Sequence, residues 1–175
     1  MRVSYLLPLL ICSCVHQEKA QTFSCLYQNE AREQSHESQC GTIDRNGKIS
    51  LNKANLEKVR FQDGLTCLWV KKRQKWSNYY LNEAGQMKEV YSYDNGCDYF
   101  QEGLARTHVN GKLAYMNRDL DIKLETAYDW GAPFSSGAAK VCNDVVWETK
   151  GEHKSMTSAN CVMIDKNGRL SSAAK

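Results

Sequence analysis

Proline is nearly missing from this chain, with two residues in 175. After the first twenty residues there is no long apolar run, and no low-complexity stretch interrupts the pattern. Nothing therefore suggests a second domain or a disordered linker. Charge of one sign is also scarce: 23 Lys and Arg against 20 Asp and Glu leave a formal +3, or +2 once Arg2 is removed with a cleaved leader. That excess is too small to argue for nucleic acid as a partner. Among Cys25, Cys40, Cys67, Cys97, Cys142 and Cys161 no pair has the close C-x-x-C spacing that zinc uses, and no two of the four histidines stand at ligand spacing, so no metal or other cofactor is expected.

What is present begins at the N-terminus. Arg2 precedes an apolar run over residues 3–11 and the small and sulfur residues Cys12, Ser13 and Cys14. This is the pattern of a secretory signal over residues 1–20, too short to span a bilayer as a permanent helix. Ile11-Cys12-Ser13-Cys14 resembles a lipobox with Cys14 as the lipidated residue. A cut after Ala20 competes with it, but Glu18 then occupies a position where a small residue is expected. Either route leaves six cysteines, an even set in an exported chain where oxidising conditions favour disulfides. Residues 21–175, roughly 155 in all, suffice for a single domain with a real core.

That domain repeats itself. Apolar-Asp/Asn-x-x-Gly occurs at Ile43-Asp44-Arg45-Asn46-Gly47, Leu81-Asn82-Glu83-Ala84-Gly85 and Ile164-Asp165-Lys166-Asn167-Gly168, with a degenerate copy at Met116-Asn117-Arg118-Asp119-Leu120. A second phrase opens each unit: Phe61-Gln62-Asp63-Gly64-Leu65, Phe100-Gln101-Glu102-Gly103-Leu104 and Phe134-Ser135-Ser136-Gly137-Ala138. Between the phrases run residues of alternating character, such as Leu104, Arg106 and His108 against Ala105, Thr107 and Val109. This is the period of a half-buried strand. Asn110-Gly111 then predicts a tight hairpin with a return strand over 112–116. The expected fold is all-β, about four stacked antiparallel hairpins, each burying its apolar face against its neighbours.

The other hairpins are expected to carry larger tips: residues 71–75 in the second unit, 143–160 in the fourth, and 28–39 in the first. Cys40 and Cys161 fall three residues before Ile43 and Ile164, at equivalent places on return strands, with Cys25 and Cys142 on the outgoing strands. Bridges Cys25–Cys40 and Cys142–Cys161 would staple the two longest-looped hairpins, each contributing on the order of 3 kcal/mol. Cys67 and Cys97 remain as the third pair.

The Phe-x-x-Gly-Leu-Ala opening, Asn-Gly-Lys, the residue before Asp and Gly, and the linking Tyr93-Asp94 and Tyr128-Asp129 together resemble the WG, or KWG, repeat. The match is best over residues 61–142. The Trp-Gly pair that names the repeat reads Leu113-Ala114 in the best unit, Cys40-Gly41 in the first, and Asn78-Tyr79 and Cys161-Val162 in the others. The resemblance implies a repetitive β-hairpin protein of the exported or surface type, without a defined enzymatic activity.

Residue chemistry points the same way. Ser135-Ser136-Gly137 lacks the first glycine of a nucleophile elbow. Position 1 of a calcium loop would fall at Thr42 or Met163, neither of which supplies a carboxylate, so the Asp44 and Asp165 phrases read as turns. Asp119 and Asp121 sit in one turn region with no second signal of a glycosidase pair. His108 falls on the polar face of its strand, His153 in a mixed-charge loop, and His16 and His36 in the tether and first loop. The suggestive cluster is Lys71, Lys72, Arg73 and Lys75 beside Trp69, Trp76, Tyr79 and Tyr80, a basic and aromatic tip suited to a protein or an anionic envelope polymer. The expectation is a non-catalytic, exported envelope protein, lipid-anchored or periplasmic in a bacterium or else secreted, that binds through its tips and touches membrane only through its anchor. A secreted hydrolase, or an inhibitor of one, acting on cell-wall or host glycans is the alternative. A deep pocket gathering His108 with carboxylates would mark it.

Overall fold

The Asp/Asn-x-x-Gly phrase folds the same way at every copy. The Asp or Asn donates its N–H to the carbonyl four residues on, its carbonyl accepts the N–H three residues on, and its Oδ1 accepts the N–H of the fourth. All three bonds are present at Asp44, Asn82, Asn117 and Asp165, at 2.8 to 3.1 Å. A short polar side chain that bonds its own backbone is what makes these residues turn formers. The third residue on has positive φ: 78° at Gly47, 80° at Gly85, 78° at Gly168, and 64° at Leu120. Leucine there costs about 1–2 kcal/mol, but Leu120 is 1% exposed and its burial offsets a similar amount. A further copy begins at Asn29, with Glu33 bonded to it in the same way and Arg32 at φ 65°. Arginine in the glycine place hid it from sequence inspection.

The Phe-x-x-Gly openings are two-residue turns. Asp63-Gly64, Glu102-Gly103 and Ser136-Gly137 all have positive φ at both residues, as Asn110-Gly111 does. The flanking residues, Gln62 with Leu65, Gln101 with Leu104 and Ser135 with Ala138, exchange both backbone bonds. This geometry matches the twist of antiparallel strands.

A computed structural model describes residues 21–45, 47–151, 153–157 and 160–171. The signal segment 1–20, with Cys14 and His16, lies outside them, as do residues 172–175 and the side chains of His153 and Lys154. Among the described residues the elements are β1 (Gln21–Gln28), β2 (Gln34–Ile43), β3 (Ile49–Leu51), the short helix α1 (Lys53–Leu56), β4 (Leu65–Lys72), β5 (Lys75–Asn82), β6 (Met87–Val90), β7 (Ser92–Tyr93) and β8 (Gly96–Cys97). They continue as β9 (Ala105–Val109), β10 (Lys112–Met116), β11 (Ile122–Glu125), β12 (Trp130–Gly131), β13 (Ala138–Asn143), β14 (Val146–Lys150), β15 (His153–Thr157) and β16 (Asn160–Asp165). The fold is all-β and built from antiparallel hairpins.

The hairpins associate in two ways. β1–β2 and β4–β5 lie edge to edge in one six-stranded sheet ordered β3-β2-β1-β4-β5-β6, joined where Cys25 pairs with Val70 and Leu26 with Trp69. β9–β10–β11 and β12–β13–β16 are separate three-stranded sheets. One core fills the inner face of the large sheet, with Phe23, Tyr27, Leu68, Val70, Tyr79 and Leu81. A second joins Leu65, Val90 and Cys97 to Ala105, Met116 and Leu120, and a third joins Leu113 and Tyr115 to Val141 and Ile164. Each opening phenylalanine serves one core: Phe61 the first, Phe100 the second and Phe134 the third. Burial between successive sheets thus supplies stability that an isolated hairpin lacks.

Disulfides join Cys25 to Cys40, Cys67 to Cys97 and Cys142 to Cys161. Three structural disulfides accord with an oxidising, exported environment.

Three local expectations need correction. The second hairpin has no enlarged tip: Lys72 pairs with Lys75, and only Arg73 and Gln74 turn between them. The 143–160 excursion is not a plain loop but a ribbon of its own, with β14 paired to β15. Finally, β9 is not half-buried, because Arg106 lies inside together with Ala105 and Thr107. Asp98 makes that burial tolerable, as its Oδ2 accepts from Arg106 Nε at 2.9 Å and its Oδ1 from Nη2 at 2.6 Å.

Candidate binding surface

Strand alternation sorts the basic tip into two groups. Lys71 and Trp76 are register partners on the outer face of the large sheet, while Lys72 falls on the opposite face, in line with Val70 and Leu68. On the outer face the Lys71 ammonium lies 5.7 Å from the Trp76 ring centroid, and His36 lies 6.5 Å from the same ring across the sheet. Trp76 is 36% exposed, and Trp69 beside it is half-buried. A cation held over an indole face makes a mixed surface that can meet a charge and a flat apolar group together.

Lys72 is engaged internally. Its ammonium donates to the Tyr79 hydroxyl and lies 3.3 Å from Glu89 Oε2, and that carboxylate also accepts the Tyr79 hydroxyl at 2.7 Å. Burial alone would push the Glu89 carboxyl up, but the Tyr79 hydroxyl and the Lys72 ammonium outweigh it and hold the group below its ordinary value. Burial, followed by the bond to Glu89, pushes the Tyr79 hydroxyl far above the ordinary tyrosine range. Lys72 and Tyr79 therefore belong to the scaffold, whereas Lys71 and Trp76 lie on the outer face; Arg73 is exposed in the turn, and Lys75, the register partner of Lys72, is exposed on the opposite face. Among the described residues no carboxylate pairs with Lys71, Arg73 or Lys75.

No family model, curated protein or solved structure matches this chain.

The remaining candidates resolve into structure. Ser136 is a positive-φ turn residue. Asp119 accepts from Asn117 Nδ2 at 3.0 Å, and Asp121 lies 3.5 Å from Lys123. His108 stacks on Tyr91 at 4.3 Å between centroids, and Arg106 approaches the same Tyr91 ring to 5.0 Å. Burial lowers the His108 pKa. His108 lines neither the cavity at Arg60, Tyr99 and Arg118 nor the one at Lys140, Met163 and Leu170. Among the described residues no group of three or more His, Cys, Asp or Glu side chains could hold a metal ion. The second protruding element, the β14–β15 ribbon, leaves Val146 and Trp147 more than half exposed.

The principal structural residues that sequence reasoning missed are Asp98 and Arg106. They are eight positions apart, and no spacing rule links them.

Proposed function

We propose that this chain is a non-catalytic exported binding module, a WG-like repeat protein of the bacterial envelope, that holds an anionic polymer on the outer face of the β4–β5 hairpin. The observation that carries the reading is the arrangement of Lys71 over exposed Trp76, with Arg73 exposed in the adjoining turn, Lys75 exposed at the hairpin end beyond it, and no carboxylate paired with any of the three cations among the described residues. Cations without local partners on a rigid two-stranded support retain their charge for an outside ligand. The tryptophan adds a flat surface of low conformational entropy. The disulfides, the leader-like residues 1–20 and the repeat resemblance support export and an envelope location. Cys14 would provide the tether.

The test compares retention on immobilised dextran sulfate and on neutral dextran, using the oxidised protein. Wild type is expected to bind the sulfated matrix in a salt-sensitive way, because released counterions drive such contacts. A variant with Ser at positions 71, 73 and 75 and Ala at 76 is expected to lose that binding while unfolding at the same denaturant concentration. Equal retention of variant and wild type would remove the tip from the function.

A further inference from the structure

Besides the tip, the chain contains a cleft of about 390 Å³ between successive hairpins, lined by Arg60, Gln62, Asp63, Tyr99, Phe100 and Arg118 among others. Three separate connections build it: the segment between α1 and β4, the segment between β8 and β9, and the β10–β11 turn. We infer that this cleft is a binding site for a small ring compound carrying a carboxylate. The inference uses no tip residue and stands or falls apart from the reading above.

The two arginines are positioned but not neutralised. Arg118 lies with its guanidinium carbon 5.3 Å from the Phe100 ring centroid, and its Nη2 donates to the Asp63 carbonyl at 3.2 Å. Arg60 Nη1 donates to Gln28 Oε1 at 3.4 Å. A guanidinium has five N–H donors, and each of these arginines spends one on a neutral oxygen. Among the described residues neither has a carboxylate within ion-pair distance.

The next repeat provides an internal comparison. There the residue equivalent to Asp63 is Glu102, and the residue equivalent to Arg118 is Lys166. Lys166 Nζ donates to the Glu102 carbonyl at 3.0 Å, much as Arg118 does to Asp63, but it also sits 3.0 Å from Glu102 Oε2. The same Glu102 carboxylate accepts the Gly137 N–H at 3.1 and 3.2 Å. Glutamate therefore fills its own site and neutralises its own cation. Aspartate is one methylene shorter, and no ion pair joins Asp63 to Arg118 among the described residues. The position closed by Glu102 in one repeat is left for an outside carboxylate in the other.

Charge and shape narrow the ligand. Two arginines against Asp63 leave a net charge of one, which matches a monoanion better than a phosphate dianion. A planar guanidinium fork fits a carboxylate with two parallel bonds. Tyr99, 57% exposed, is braced edge-on against Tyr93 at 5.3 Å and supplies an aromatic face against which a ring would lie, while the Phe100 ring packs with Tyr80 and Arg118. Burial pushes the neighbouring Tyr80 hydroxyl up to about 12, and it donates to the Asp98 carbonyl at 2.7 Å, so it remains a neutral part of the cleft. The volume lies near the lower end for small-molecule sites, which suits one ring rather than a chain.

The experiment titrates the oxidised full chain with glucuronate, benzoate, glucose and inorganic phosphate, following backbone amide shifts. Glucuronate or benzoate is expected to shift Gln62, Tyr99 and Arg118. Glucose should leave them in place, and phosphate should bind about tenfold more weakly or worse. Whichever acid binds tighter tells a saccharide acid from an aromatic one. Arg118→Gln and Arg60→Gln should each weaken the acid by about tenfold or more, the loss of one charge-assisted bond. If Arg118→Gln unfolds, Arg60→Gln and the wild-type shifts decide. Binding of neither acid at these residues, equal binding of glucose or phosphate, or unchanged affinity in the folded arginine variants would overturn the inference.

Discussion

Replacing Asp98 by alanine should be among the most damaging single changes available in this protein. Asp98 follows Cys97, which is bonded to Cys67, and Arg106 lies on β9, so the pair ties the second hairpin to the third. Arg106 Nη1 continues to the Gly131 carbonyl on β12 at 3.0 Å, and the Arg106 N–H itself donates to Asp98 Oδ2 at 2.9 Å. Both side chains are buried. Asp98→Ala would leave an enclosed guanidinium with one carbonyl for a partner, and would orphan a strand N–H. Breaking a buried pair from one side costs about 3–5 kcal/mol, a fall in Tm on the order of 10 °C for a domain of this size. Urea unfolding with the disulfides intact measures it. The double variant Asp98→Ala with Arg106→Leu removes both charges and should lose less than the two single changes summed, by more than about 1 kcal/mol. Single losses that simply add, to within about 0.5 kcal/mol, would refute the coupling and with it the account of why an arginine is buried there.

Three other expectations follow from local geometry. A Cβ at Gly41 would stand 2.1 Å from the Ser50 carbonyl oxygen and 2.7 Å from the Phe23 ring, so Gly41→Ala should destabilise by about 1–3 kcal/mol or more, read by thermal unfolding. The buried Tyr27 hydroxyl has no hydrogen-bond partner among the described residues, and Tyr27→Phe should therefore hold or raise stability by about 1 kcal/mol; a loss of that size would show a bond the present account lacks. The Glu89 carboxyl has a folded pKa below its ordinary value, so the stability it contributes is complete above that ordinary value and disappears as pH falls through the depressed one. Stability measured against pH should show this acid limb, and Glu89→Gln should flatten it.

Reading the tip from sequence was sound for composition and incomplete for direction. Lys71 through Lys75 form one basic run, but strand alternation sends Lys72 to the face of Tyr79 and Glu89, together with its register partner Lys75, and leaves Lys71 with Trp76 on the outer face. The opposite error occurred at Arg106, where alternation with His108 suggested a polar face. The burial of Arg106 depends on Asp98 from another element, and period-2 patterning carries no information about such a partner.

What the chain's own order decided is local. Asp or Asn bonding to the fourth residue on, and glycine accepting positive φ, are interactions within five residues, and they set the turns and hence the hairpins wherever the phrases occur. Cys161 is the register partner of Cys142, whereas the partner of Cys25 is Glu37, and Cys40 reaches Cys25 through the register shift between Phe23 and Cys25. Which hairpins share a sheet, which charges meet in the interior, and the gathering of Arg60, Asp63 and Arg118 around one cleft were decided only by the tertiary structure. Those contacts join residues far apart in the chain, Arg118 and Asp63 being separated by 55 positions, and they depend on how whole strands pack.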